Sequence, residues 1–329
     1  MALPAYAGWG ERLWYYTFRI ICALIFLFLI SPILIVLPLS FNAENYFSFT
    51  PGMLGLDPDA YSLRHYRDIL TNGMANPNAL TGWWSDAWKN AQWIRSMRNS
   101  FFIGFFATII ATVLGTLAAV GLSRSEMPFK KKIMALLISP MIVPLVITGA
   151  GIFRGFSDGT KVINRFGSWL AEQSGLFNWI GNWLSEFQLV YTHLGVILAH
   201  AVLGTPFVII TVTATLVGFD QSLVRAAYSM GATPMRTFFK VQMPLILPGV
   251  ISGALFAFVT SFDEVVVVIA MASVEQRTIP RQMFSGIREQ ISPTILAVAT
   301  ILVILSIALL ATLELIRRRG ERLRGVTPA

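Results

Sequence analysis

Long uncharged runs alternate with short charged segments along the whole chain. A helix needs ~20 mostly apolar residues to cross the hydrocarbon core of a bilayer. Uncharged windows of that length predict six transmembrane helices, near residues 20–39, 100–122, 133–153, 191–216, 248–271 and 293–316. The predicted fold class is therefore an all-α, polytopic membrane protein.

Composition supports this fold class and excludes others. Hydrophobic residues make up 55% of the chain and charged residues only 13%, whereas soluble domains are about 25% charged. The net charge of +8 does not indicate a nucleic-acid binder, because the basic residues lie in short segments between apolar runs. The single cysteine, Cys22, excludes an intramolecular disulfide and any multi-cysteine metal site.

The basic segments predict the orientation, since cytoplasmic loops of membrane proteins are enriched in Lys and Arg. "FKKK" at 129–132 and "RRRGERLR" at 317–324 indicate the cytoplasmic side, which puts both termini inside. The predicted outside segments are 40–98, 154–189 and 273–292, of which the first two are rich in tryptophan and predict short helices at the outer interface. The predicted organisation is a cytoplasmic N-terminus, a six-span domain, a cytoplasmic loop inside that domain and a basic tail, at 1–19, 20–316, 217–247 and 317–329 respectively.

The cytoplasmic loop contains the stretch "RAAYSMGATPMRTFFKVQMP" and predicts two short helices. Asp220 is a suitable N-cap for a first helix beginning at Gln221. Gly231 can end that helix in the left-handed conformation that glycine adopts at least cost. Thr233 and Pro234 then restart a second helix, as N-cap and first helical residue. The loop is thus expected to be a glycine-cornered helical insert.

This insert resembles the loop E-A-A-x3-G-x9-I-x-L-P of the inner-membrane permeases of ATP-binding cassette (ABC) importers. Ala226, Ala227, Gly231 and Pro244 match at that spacing, whereas Arg225 replaces the leading Glu. "SPMIVPLVITGAG", "LAHAVLGTPFVIITV" and "SFDEVVVVIAMAS" also look like the spermidine/putrescine subgroup of these permeases. The resemblance therefore covers most of the chain.

The resemblance implies a set of partners and a docking role for the insert. The partners would be a cytoplasmic ABC ATPase dimer, a different second permease, a periplasmic binding protein and the lipid of a bacterial inner membrane, with no nucleic acid. The residues expected to couple to the ATPase are Leu223, Arg225, Ala226, Ala227, Tyr228, Met230, Gly231, Thr233 and Pro234. No G-x4-G-K-[ST] motif occurs in the chain, so ATP and Mg²⁺ are expected on the ATPase, with no cofactor or catalytic residue here.

Asp263 and Glu264 interrupt the fifth apolar run. Ionisable groups at membrane depth are expensive and by default mark a functional site. In the polyamine-type permeases, acids at this place are thought to attract the cationic substrate, so both residues are predicted to line its pathway. Two alternatives stay open, namely a wet vestibule near the outer end and an ion pair with an Arg of the companion subunit.

Other functions are weighed on specific features. A related permease could carry an amino acid, an opine or an aminophosphonate instead of a polyamine. An ATP-independent secondary transporter would usually show paired inverted halves with broken spans at matching positions, and no such pairing is evident. A membrane-embedded enzyme would need clustered polar residues, whereas His65, His193 and His200 are far apart in sequence, and His200 is expected to be a hydrogen-bonded packing residue.

Overall fold

The computed structural model describes residues 8–124, 127–172, 176–289 and 292–323. Within these residues the chain is helical and contains no β-strand, apart from one isolated bridge between Asn42 and Tyr61. The described residues group into two compact units, one formed by those within 1–92 and 285–329 and the other by those within 93–284. The predicted all-α fold class is confirmed.

The first unit is built on the two terminal helices, with α15 packed against both α1 and α3. Asp68 of α3 accepts a hydrogen bond from Thr294 Oγ1 at the start of α15, at 2.7 Å. The helices of this unit are α1 (Trp9–Leu39), α2 (Pro51–Leu54), α3 (Arg64–Thr71), α4 (Trp83–Asn90) and α15 (Thr294–Leu323).

The second unit holds the central helices, among which α9 and α12 form the most extensive pair. These helices are α5 (Gln92–Ser123), α6 (Lys130–Ile142), α7 (Leu145–Ala171), α8 (Leu176–Ser185), α9 (His193–Val217), α10 (Ser222–Ser229), α11 (Pro234–Thr237), α12 (Met243–Asp263), α13 (Val266–Met271) and α14 (Ile279–Glu289). A π-helical segment, Phe238–Gln242, joins α11 to α12 without a break.

Four helices within the described residues are long and apolar enough to cross a membrane: α1, α5, α9 and the continuous helix Pro234–Asp263. The predicted third span is instead divided between α6 and α7, which meet at a bend of 109°. Val143 is extended there because it precedes Pro144, and a residue before proline is disfavoured in the α conformation. The predicted sixth span lies in α15, whose apolar part 294–308 is shorter than a full span among the described side chains.

The predicted fifth span, 248–271, has different limits in the structure. Its helix begins at Pro234 and ends at Asp263, so Pro244 and Pro248 lie inside it and do not terminate it. Proline removes a donor from the helical ladder. The π segment before Pro244 accommodates this loss, because Met243 N there donates to Phe238 O, five residues back.

Small residues allow α9 and α12 to approach closely. A Cβ added at Gly253 would lie 2.8 Å from Val208 Cα and would also overlap Thr211 Oγ1. A Cβ at Gly249 would overlap Thr215 Oγ1 in the same way. Such contacts replace the hydrophobic effect as the source of helix association within a bilayer, so this pair forms the packed centre of the second unit.

Candidate functional site

The insert within 217–247 begins with a helix, α10, whose first backbone amide is bonded by an acidic side chain. α10 starts at Ser222, one residue later than the predicted Gln221, so the N-cap is Gln221 and not the predicted Asp220, and the Gln221 side chain forms no capping bond. Asp220 Oδ1 accepts a hydrogen bond from Ser222 N at 2.8 Å, and Oδ2 accepts one from Ser222 Oγ at 2.7 Å. The Ser222 hydroxyl, and after it the Ser222 amide, lower the pKa of Asp220 below its ordinary value. The carboxylate is therefore ionised at neutral pH, as a negative group at a helix N-terminus should be.

The corner of the insert has the predicted glycine geometry. Gly231 has a φ of +81°. Its N–H donates to Tyr228 O at 2.9 Å, and the Ala232 N–H donates to Ala227 O at 3.0 Å. These two bonds are the Schellman motif, which satisfies the carbonyl groups at a helix C-terminus. The corner is thus hydrogen-bonded and turns the chain sharply between the two helices.

The second helix restarts as the sequence predicts. Thr233 Oγ1 accepts from Arg236 N at 3.4 Å, and Pro234 occupies the first helical position. Both ends of the corner are therefore capped by groups of the insert itself.

Large apolar side chains of the insert face solvent, although Ala227 is buried. Met230, which precedes Gly231 in the sequence, is 82% exposed, and Met235, which follows it, is 70% exposed. Tyr228 and Leu223 are each a little under half exposed. We call Leu223, Tyr228, Met230 and Met235 the apolar knob. Met235 was not among the predicted coupling residues; its place directly after Pro234 gave no signal of its own.

The two adjacent acids lie at a break in the helical chain. Asp263 is the last residue of α12 and is exposed, whereas Glu264 is only 6% exposed. Glu264 Oε1 accepts a hydrogen bond from Val267 N at 2.8 Å. Neither acid forms an ion pair with a Lys or Arg in the described part of this chain.

Polar contacts surround this break. His200 is buried, and its Nδ1 lies 2.7 Å from Ser261 Oγ, which is consistent with the predicted packing role. Arg281 Nη1 donates to Ala272 O at 2.7 Å, Ser273 O at 3.0 Å and Val268 O at 3.3 Å. Burial, and after it the charge of Arg277, lower the pKa of Arg281. Sequence reasoning missed Arg281, because nothing in the local pattern indicates which distant carbonyl groups it reaches.

Long apolar helices, one of them continuous with a short helical insert, define a polytopic membrane protein. Residues 111–322 match the family of binding-protein-dependent transport system inner membrane components. Because this match covers more than half of the chain, the protein belongs to that family.

Curated relatives extend the likeness over most of the chain. The spermidine/putrescine transport system permease protein PotC of Haemophilus influenzae is 27% identical over 297 residues, which cover 90% of this chain and 95% of that protein. The putrescine transport system permease protein PotI of Escherichia coli K12 is 27% identical over 315 residues, which cover 94% of this chain and 95% of that protein.

A solved structure shares the fold. It is a chain from the crystal structure of a bacterial ABC transporter involved in the import of the acidic polysaccharide alginate. The TM-score is 0.61 and the identity 13%, with 94% of this chain and 99% of that chain covered. At this identity the likeness concerns the fold alone.

Proposed function

We propose that this chain is the membrane subunit through which an ATP-driven importer moves a polyamine inward. The observation that carries the substrate class is the likeness to spermidine and putrescine permeases over 90% and 94% of the chain. The exposed carboxylate of Asp263, at the end of a spanning helix, is consistent with a cargo that carries two or more positive charges. A fixed carboxylate offsets part of the cost of removing such a cation from water.

The energy comes from a separate ATPase dimer, which binds ATP and Mg²⁺. This assignment rests on the missing phosphate-binding motif and on the apolar knob. Exposed methionines on a capped, rigid corner suit insertion into a groove of a partner protein, since methionine adapts its shape to irregular surfaces. Arg225 and Arg236, which flank the corner, orient the partner more than they add affinity.

The continuous helix Pro234–Asp263 provides the mechanical link between the two candidate sites. It spans 30 residues, or about 45 Å at 1.5 Å per residue. The docking insert lies at its N-terminal end and Asp263 is its last residue. Closure of the ATPase dimer would move the insert, and this helix would carry the movement to the acid site. In this arrangement one helix transmits the movement, without a series of contacts between separate side chains.

The remaining assignments are supported by the family and, for the topology, by the distribution of Lys and Arg. As an inner membrane component of a binding-protein-dependent system, the chain receives cargo from a periplasmic binding protein. It pairs with a different second permease to complete the pore. The six-span arrangement has both termini in the cytoplasm, with the loop 217–247 facing the ATPase.

Purification of the complex from its native operon tests the function directly. A tag on this chain should retain an ATPase chain and a second permease, and the complex in proteoliposomes should import radiolabelled spermidine or putrescine only with ATP and the cognate binding protein. Radiolabelled glutamate, an anionic amino acid, serves as the control cargo. Uptake of polyamine without ATP, or recovery of no ATPase chain, would contradict the proposal.

A further inference from the structure

The short helix α13 is held at both ends by charged side chains. At its N-terminal end, the Glu264 carboxylate accepts the Val267 N–H at 2.8 Å. At its C-terminal end, the Arg281 guanidinium donates to carbonyl groups of Val268, Ala272 and Ser273. A negative group at the start and a positive group at the end both complement the helix dipole. We call Glu264 and Arg281 the α13 clamp.

The helix inside the clamp is packed on its other sides. Val267, Val268 and Met271 have no exposed surface. Gly149 of α7 lies against Val267, where an added Cβ would meet Val267 Cα at 3.7 Å. The Tyr191 N–H, just before α9, donates to Met271 O at 3.0 Å. α13 is therefore a fixed element of the second unit rather than a loose loop.

Asp263 differs from Glu264 in its exposure and in its hydrogen bonding. Its side chain is exposed and has no hydrogen bond or ion pair among the described residues. The chain is anchored on both sides of it, by the contact of Ser261 Oγ with His200 Nδ1 at 2.7 Å and by the Glu264 cap. Asp263 is thus a free carboxylate held on a fixed backbone.

Glu264 cannot easily serve as a second cargo ligand. One of its oxygen atoms already satisfies a buried backbone N–H, and a buried donor that loses its partner is costly. With the residue only 6% exposed, an ammonium group has little access to the carboxylate. The adjacent acids therefore have separate tasks.

We propose that Glu264 and Arg281 are positioning residues that fix α13 and the backbone of Asp263, and that the cationic cargo meets Asp263 and not Glu264. The cargo half of this proposal rests on the proposed polyamine function. The part that concerns the α13 clamp is independent of the polyamine function, because it involves only contacts within the chain.

A first experiment tests the clamp without any cargo. Hydrogen–deuterium exchange of residues 264–273 is measured in the purified complex for Glu264→Ala and Arg281→Ala. Loss of a cap should accelerate exchange about tenfold. Glu264→Gln should exchange like the wild type, because its amide oxygen can accept the same N–H. Arg277→Ala is the matched control, since Arg277 Nη1 donates to Gln282 and not to α13. Unchanged exchange in both alanine variants would overturn the clamp.

A second experiment separates positioning from cargo binding. Spermidine uptake into proteoliposomes, with loaded binding protein at saturation, should fall about tenfold in Asp263→Asn, the loss expected for one charge-assisted interaction. Glu264→Ala should also lower uptake. Uptake by Glu264→Gln should stay within about twofold of the wild type, because the amide oxygen can still accept the Val267 N–H. When Glu264→Ala is added to Asp263→Asn, uptake should fall little further, because both changes act through the Asp263 carboxylate.

Two results would distinguish the possible failures. If Glu264→Gln lowers uptake as much as Asp263→Asn while the exchange of α13 stays normal, Glu264 acts through its charge and the proposed division of tasks is wrong. If the wild-type complex imports neither spermidine nor putrescine, the polyamine function fails instead. The exchange experiment would then still decide whether the clamp exists.

Discussion

Replacement of Gly231 is a sensitive test of the proposed coupling role of this corner, because conformational strain and steric overlap can be separated there. With a φ of +81° and no atom within 4 Å of an added Cβ, a side chain at this position meets open space. The whole cost of Gly231→Ala is thus conformational, about 1 to 2 kcal/mol for an L-residue in the left-handed region. A docking surface that needs this corner should bind the ATPase about 5- to 30-fold more weakly.

A graded series of variants makes the strain argument quantitative. Gly231→Asn should be milder than Gly231→Ala, since asparagine tolerates the left-handed conformation, and β-branched Gly231→Val should be the most severe. Gly218→Ala is the matched control, because Gly218 also faces open space but has a φ of −88°. Ala227→Asp would add a charge at the buried position of α10 and should also detach the ATPase.

The assay is the amount of ATPase chain that co-purifies with the tagged permease, together with the ATP hydrolysis stimulated by loaded binding protein. Membrane insertion of each variant is checked by its yield and its melting temperature. If Gly218→Ala and Gly231→Ala lose the same amount of co-purified ATPase chain, the loss is not caused by the left-handed conformation of Gly231. Full coupling in Gly231→Val would refute the assignment of this insert as the docking element.

Two further predictions concern packing and topology. Gly253→Leu should force α9 and α12 apart and lower the melting temperature of the complex, whereas Gly151→Leu, which meets no atom within 4 Å, should have little effect; equal melting temperatures would contradict the close packing. Reporter fusions after Leu323 or within 217–247 should report cytoplasm, and fusions within 154–189 should report the outside; a cytoplasmic signal from 154–189 would overturn the orientation.

The features that could be predicted from sequence are those that depend on local chemistry. The glycine corner and the helix restart at Thr233 and Pro234 are confirmed, because caps and positive φ angles depend on a few adjacent residues. The positions of α1, α5 and α9 follow from apolar length alone. These signals need no knowledge of what the segments pack against.

Proline shows where local reasoning is insufficient. Pro144 accompanies the 109° bend between α6 and α7, yet Pro32 and Pro206 lie inside continuous helices. The residue type is the same, but neighbouring helices and local rearrangement of the hydrogen bonds decide whether the chain bends. The prediction of the window 133–153 as apolar is therefore confirmed, and its prediction as one uninterrupted helix is wrong.

The paired acids show the same difficulty at the candidate site. In sequence, Asp263 and Glu264 are equivalent charges within one apolar run, and a continuous helix would only point them about 100° apart. The structure ends α12 between them, so that one carboxylate is exposed and the other caps α13. Beyond that break, Val267, Val268 and Met271 are buried, and Arg281 donates a hydrogen bond to Ala272 O. Because these contacts are tertiary, the charge pattern could indicate two acids at one point in the chain but not the different surroundings of their carboxylates.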